Sequence, residues 1–311
     1  MHRILLPNMD GLIKAIDVKM KKVKGNTKTG RTHLMDAMPI DFAQELSGWK
    51  AQLESSKKTL IAATSRMNEL PQGGTAIGTG INTHKDFSKN FCEEVNKIAK
   101  LKTKPAKNFF QGLSSVDNAA ELSSALKNLS TILMKISNDL RWMNSGPLTG
   151  LGEIELEALQ PGSSIMPGKV NPVVPEAVAM ACADVIGNDV SITVASQSGN
   201  FQLNVMLPLV AYNLLKSINL LGNAMPLLSN KAIKTFKINA KNINESLSKN
   251  PILVTALNRK IGYGKAALIA KKAYKENKAI IDVASEETGI SKTELKKLLD
   301  PSKLTKGGLS G

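Results

Sequence analysis

The chain has 311 residues, enough for one large or two modest domains with a real hydrophobic core. Hydrophobic residues make up 42% and aromatics only 4%, so the core must be aliphatic, which suits packed helices better than sheets. The net charge is +15, yet only five of the 41 basic residues are arginines (Arg3, Arg31, Arg66, Arg141 and Arg259), which argues against nucleic acid and for a solvated lysine surface that helps attract a small anion.

In chain order, Ile4, Leu5, Leu12, Ile13, Ile16 and Val18 indicate a helix within residues 1–24, followed by Lys-rich polar sequence. No capping sequence precedes Met1, so the reading expects a cut end. Over 40–70, Phe42, Leu46, Trp49, Leu53, Leu60, Thr64 and Met67 recur at three- and four-residue steps and predict a long helix. The four glycines of PQGGTAIGTGINTH break the pattern over 71–84, and a short helix follows around 86–99. The stripe Leu122, Ala125, Leu129, Ile132, Ile136, Leu140 and Met143 predicts a helix over 117–144, with Asp117 as its cap.

Residues 146–172 are Gly/Pro-rich and long for a featureless connection, and such loops are often functional. Helices are predicted from about Pro175 to Ile186 and from about Phe201 to Leu228, the second kinked by Pro208. From 240 the helices shorten, with Gly262, Gly264 and Gly289 as punctuation and a polar tail ending in KGGLSG. The expected fold is all-α: a long-helix bundle over 1–239 and a small C-terminal helical domain over 240–311. Nothing reads as sheet beyond short hairpin possibilities near 147–160. No apolar run approaches a membrane span, and the first 24 residues lack a signal-peptide layout. Cys92 and Cys182 read as buried small hydrophobes, and their number and spacing fit a cytoplasmic setting without a metal or disulfide framework.

The segment GSSIMPGKVN, Gly162–Asn171, carries the densest chemistry. Lys169 and Asn171 lie two apart, so an extended backbone presents an ammonium and an amide on one side, a fit for a carboxylate. On these residues alone, a flexible polar loop is an equal reading. His33 by itself reads as a surface histidine, and Glu176 as an acid favoured in a first helical turn.

GSSIMPGKVNP resembles the signature of the fumarase/aspartase superfamily, and GRTHL at 30–34 resembles its second conserved block. GGTAIGTGINTH, LMKISNDLRWMNSGP, QSGNFQLNV and PILVTALNRKIGYGKAALIAKKA are similar to class II fumarase segments. The resemblance implies reversible hydration of fumarate to malate, a small dicarboxylate substrate, no cofactor or metal, and a homotetramer with no nucleic-acid or membrane partner. It implies Ser163 as the base, His33 and Glu176 at the leaving hydroxyl, and Thr32, Ser164, Lys169, Val170 and Asn171 as substrate contacts. His84 falls to a loop-positioning role. The family's first block should precede Met1 in an N-terminal domain. Two other readings stay open: aspartate ammonia-lyase on the same scaffold, and a non-catalytic oligomerising fragment.

Overall fold

The computed structural model describes residues 1–308; the end of the expected polar tail, 309–311, lies outside the described residues. Five long helices dominate. Helix α1 (Leu5–Val23) buries Leu5, Met9, Leu12 and Ile16 along one stripe. A hairpin follows, β1 (Thr27–Thr32) antiparallel to β2 (Met35–Asp41). Helix α2 (Phe42–Arg66) starts at a capping box: Asp41 Oδ1 accepts from Ala43 N at 2.7 Å, and Gln44 Oε1 accepts from Asp41 N at 3.0 Å. Its stripe Phe42, Leu46, Trp49, Leu53 and Leu60 is buried, at steps of three or four residues and then of two turns to Leu60.

Strand β3 (Glu69–Leu70) pairs in parallel with β4 (Lys104–Pro105), on either side of the glycine loop and α3 (Phe87–Ala99). Helix α4 (Phe109–Ser114) is short. Helix α5 (Asp117–Met143) buries Leu122, Leu126, Leu129, Leu133, Ile136 and Leu140. Asp117 is the first residue of α5 rather than its cap: its Oδ2 accepts from Ser115 Oγ at 2.9 Å and Gln111 Nε2 at 3.2 Å. Strand β5 (Ile154–Glu155) finds its partner far downstream in β6 (Lys237–Ile238), so the local hairpin expected near 147–160 does not form.

Helix α6 (Val173–Gln197) runs eleven residues past its predicted end at Ile186. The polar run 187–189 is absorbed by packing. A Cβ on Gly187 would meet nothing within 4 Å, so that position is merely small. Asn188 Nδ2 donates to Ser217 Oγ at 3.1 Å, and Asp189 accepts from Ser123 Oγ at 2.7 Å and Lys127 Nζ at 2.6 Å. Helix α7 (Leu207–Leu228) packs along α6 and begins six residues later than predicted. The Asn200–Leu203 bridge occupies the intervening chain, and Asn204 holds it by accepting from Met206 N and donating to Ala195 O. Pro208 therefore sits in the first turn, where its missing N–H is not needed, and does not kink the helix. Pro226 lies inside α7, which gives way to a π turn at Ser229–Ile233.

Helix α6 also corrects the membrane reading. It is long and apolar enough to cross a bilayer by length and composition, with a mean hydropathy of 1.4 over its most apolar window. It carries no Lys or Arg. Its buried face presents Val178, Cys182, Val185 and Ile192, while Met180, Val190 and Val194 lie exposed.

The remaining helices are α8 (Ala240–Lys249), α9 (Asn258–Ile261), α10 (Tyr263–Glu276), α11 (Ile280–Thr288), α12 (Lys292–Leu298) and α13 (Pro301–Leu304), with a 3-10 turn at Pro251–Leu257. Leu253, Leu257, Ile269, Val283, Leu295 and Leu299 form a core of their own there. Ser291 caps α12 by accepting from Glu294 N at 3.2 Å.

By internal contacts the chain forms two compact units. One holds Met1–Lys14, Ala51–Asp139 and Asn171–Ala232; the other holds Ala15–Lys50, Leu140–Val170 and the described residues from Ile233 onward, so 240–308 lies wholly within the second.

Two outcomes follow from these contacts. Asp41→Ala removes the α2 cap and an acceptor for Gly25 N at 2.7 Å; a loss of about 1–2 kcal/mol in urea unfolding is expected. Burial pushes the Cys182 thiol up to about 12, above its ordinary 9.0. Folding thus opposes the thiolate, so this group's contribution to stability is intact below about pH 9 and declines as pH rises beyond it. At pH 8, iodoacetamide should label Cys182 only after denaturation, read by mass spectrometry.

Candidate active site

The hairpin β1–β2 carries the first group of residues. Thr32 and Met35 close it, and His33 and Leu34 make the two-residue reversal with φ of 57° and 59°. Positive φ at both central residues is what a tight hairpin turn with the right-handed twist of its strands demands. Neither residue is the Asn or Gly usually placed there, and for Leu34 the conformation is strained. The result is that Thr32, His33 and Leu34 all stand exposed at the tip.

The geometry behind the tip is equally specific. Register shifts between Thr29 and Arg31, so that Ala37 and Met38 of β2 oppose Gly30 alone. A Cβ on Gly30 would lie 2.5 Å from the Met38 carbonyl oxygen, so only glycine fits. Asn250 supports the bulged strand by donating to Ala37 O at 2.9 Å.

The Gly162–Asn171 loop carries the second group. Gly162 N donates to Lys169 O at 2.8 Å and closes the loop on itself, and Gly168 takes the left-handed φ of 82° needed for the return. Inside this closure, Ser163 Oγ accepts from Ile165 N at 3.2 Å and from Met166 N at 3.1 Å. Two backbone donors aimed at one hydroxyl oxygen favour the form of that oxygen with more negative charge. Ser163 is half-buried, while Ser164, Lys169 and Val170 are exposed and open to a ligand.

Thr32, His33, Ser163, Ser164, Lys169 and Val170 belong to one compact unit, and Asn171 and Glu176 to the other. Asn171 stands two residues before α6 and Glu176 in its first turn, half-buried, where a carboxylate favours the helix N-terminus. His84 is exposed, and its Nδ1 accepts from Asp86 N at 3.2 Å, a loop contact. Among the described residues no group of three His, Cys, Asp or Glu stands together as a metal site.

Sequence reasoning did not single out the amides of Ile165 and Met166; these are the N–H groups two and three residues on from Ser163, in the pattern of a serine-capped turn. A serine followed by a Pro-Gly reversal was the only available hint.

A family model described as "Lyase" matches residues 1–187, and one described as "Fumarase C C-terminus" matches 253–306. The chain is 57% identical over 305 residues to "Fumarate hydratase class II 2" of Pseudomonas aeruginosa, covering 98% of this chain and 67% of that protein. It is 54% identical over 305 residues to "Fumarate hydratase class II" of Xylella fastidiosa, covering 98% of this chain and 64% of that protein. The fold superimposes on a crystal structure of recombinant class II fumarase from Schistosoma mansoni with a TM-score of 0.94 at 33% identity, covering 97% of this chain and 66% of that one. The chain thus spans about two thirds of the length of the relatives it matches. A fold of this likeness, family models over most of the chain and identities above one half lead to one conclusion: the chain belongs to the class II fumarase family.

Proposed function

We propose that the protein acts as a fumarate hydratase, interconverting fumarate and (S)-malate. The observation that carries the reading is the Ser163 oxygen held by the Ile165 and Met166 amides at 3.2 and 3.1 Å inside the GSSIMPGKVN loop. Family membership and relatives named as fumarate hydratases favour the hydratase over the ammonia-lyase reading.

In the malate-to-fumarate direction, Ser163 removes the proton from the carbon next to a carboxylate. A serine oxygen is a poor base unless its alkoxide is stabilised, and the two amides supply that. The electron pair left on carbon delocalises into the carboxylate as a dianionic aci-form, to which Lys169, Asn171 and Ser164 present an ammonium, an amide and a hydroxyl. Breaking the C–O bond turns that pair into the double bond. The departing hydroxyl leaves as water, its proton supplied from His33 through a bound water, and the family resemblance gives Glu176 an assisting part in that step. Thr32 and Val170 contact the substrate alongside. A homotetramer, a cytoplasmic location and a place in dicarboxylate metabolism complete the reading. In support of assembly, α6 and α7 leave Met180, Val190, Val194, Leu209, Tyr212 and Leu215 exposed on apolar faces.

Turnover is followed by the ultraviolet absorbance of the fumarate double bond, on the chain together with the N-terminal region of a full-length relative. Ser163→Ala should lose activity by on the order of a thousandfold with its oligomeric size by light scattering unchanged. A rate within threefold of the parent would remove Ser163 as the base, and ammonia release from aspartate by the parent would replace the reaction itself. His33→Asn should slow turnover by about a hundredfold or more. A rate within threefold of the parent would argue against His33.

A further inference from the structure

Behind the His33 hairpin, in the same compact unit, lies a cluster of four charges that none of the chemistry above uses. Glu153, between α5 and β5, is buried with its side chain 5% exposed. Its two oxygens are spent on two residues of one strand. Oε2 accepts from Lys28 Nζ at 2.7 Å, and Oε1 lies 2.7 Å from Arg31 Nη1. Lys28 is itself 3% exposed, with Glu45 Oε2 from the first turn of α2 at 2.8 Å and the Phe42 ring 4.7 Å below. Two cations face two anions, so the cluster is neutral as a whole. Each buried member has an opposite charge within hydrogen-bonding reach, the condition for holding charge in a dry interior.

Its position is what gives it meaning. Lys28 and Arg31 bracket the bulge, with Thr29 and Gly30 between them, and Arg31 is followed directly by Thr32 and His33. A bulged, Gly-containing strand is the weakest part of a hairpin, because the ladder is interrupted there. The Glu153 carboxylate spans that interruption from the side. It is anchored in turn by backbone bonds on both its own groups: Glu153 N donates to Met143 O at 2.8 Å and Glu153 O accepts from Asn239 N at 2.9 Å. The strand that leads into His33 is therefore pinned to the segment that leads on to Ser163.

We propose that Glu153 is a positioning residue for the reaction: by bridging Lys28 and Arg31 it fixes the orientation of the Thr32–His33 tip without touching substrate. The proposal rests on the hydratase reading for its effect on rate, but not for its effect on the hairpin. Angstrom-scale misplacement of a reacting group costs about a hundredfold. Glu153→Gln keeps the shape and removes the charge that two cations share, so the tip should loosen.

Two measurements test it on the same protein. Hydrogen exchange by mass spectrometry should show residues 27–41 exchanging at least about tenfold faster in Glu153→Gln, with residues 280–300 unchanged. Turnover should fall about thirty- to a hundredfold, chiefly in kcat. The double variant His33→Asn/Glu153→Gln should be no slower than His33→Asn alone, because a misplaced tip matters only while His33 is there to be misplaced. Should Glu153→Gln not fold, Arg31→Gln severs one half of the bridge at a partly exposed side chain and should show the same exchange pattern, while Arg31→Lys restores it. Unchanged exchange over 27–41, or rate losses that multiply in the double variant, would overturn the proposal. A parent protein without hydratase activity would sink the functional reading, and the exchange result would still decide the role of Glu153 in the hairpin.

Discussion

A helix of more than 20 residues is held in a folded chain mainly by the side it removes from water along its length, and this requirement shapes most of the chain. Helices α2, α5, α6 and α7 meet it with Leu, Ile, Val and Met at three- and four-residue steps, each fully buried Leu-sized side chain contributing roughly 1.5–3 kcal/mol. Between α5, α6 and α7 two polar side chains inside these stripes are paired, Asn188 with Ser217 and Asp189 with Ser123 and Lys127. Such pairing sets which helix faces which, since a slip by one turn would leave the same groups buried and unpaired. The helices are committed to packing, and the chemistry is left to the irregular backbone between them.

That division explains the character of the site. Thr32 and His33 sit on a two-residue reversal with positive φ, and Ser163 sits in a loop closed by the Gly162–Lys169 bond. Both are conformations that a helix cannot offer. The reversal exposes the imidazole, and the loop turns backbone N–H groups inward onto a side-chain oxygen. A helix would have spent those N–H groups on its own carbonyls. Strain at Leu34 is held by a bulge, a glycine too close to a carbonyl for any side chain, and a buried charge cluster. The local conformation is over-determined from several directions.

Legibility followed the same division. The stripes of α2 and α5 could be read directly, because helical periodicity is a strong local signal. The hairpin 27–41 could not. TKTGRT is polar and MDAMPID contains a proline, so neither alternates, and their pairing is stabilised by partners distant in sequence such as Asn250 and Glu153. The end of α6 and the start of α7 were misjudged for one reason: Gly187, Asn188 and Asp189 look like a break, and Phe201–Met206 looks apolar enough to be helical. Side-chain bonds from other helices keep the first run helical, and Asn204 keeps the second extended. Ser163 and His33 were legible only as a motif resemblance, whereas Lys169 with Asn171 already read as a carboxylate clamp from type and spacing. The donors to Ser163 depend on turn geometry that residue types alone do not specify.

The bulge at Gly30 has a consequence for how this arm can vary. Successive strand residues face opposite sides, so the side on which Thr32 emerges depends on whether the number of residues before it is odd or even. The extra residue on β2 shifts that parity once, between Thr29 and Arg31. Losing or gaining a single residue on either side of Gly30 would turn Lys28 away from the interior or Thr32 away from its present face. Changes of two residues would preserve both faces and merely lengthen or shorten the arm. The reach of the His33 tip is therefore adjustable only in double steps of about 7 Å, so small adjustments of the arm's length are closed to it.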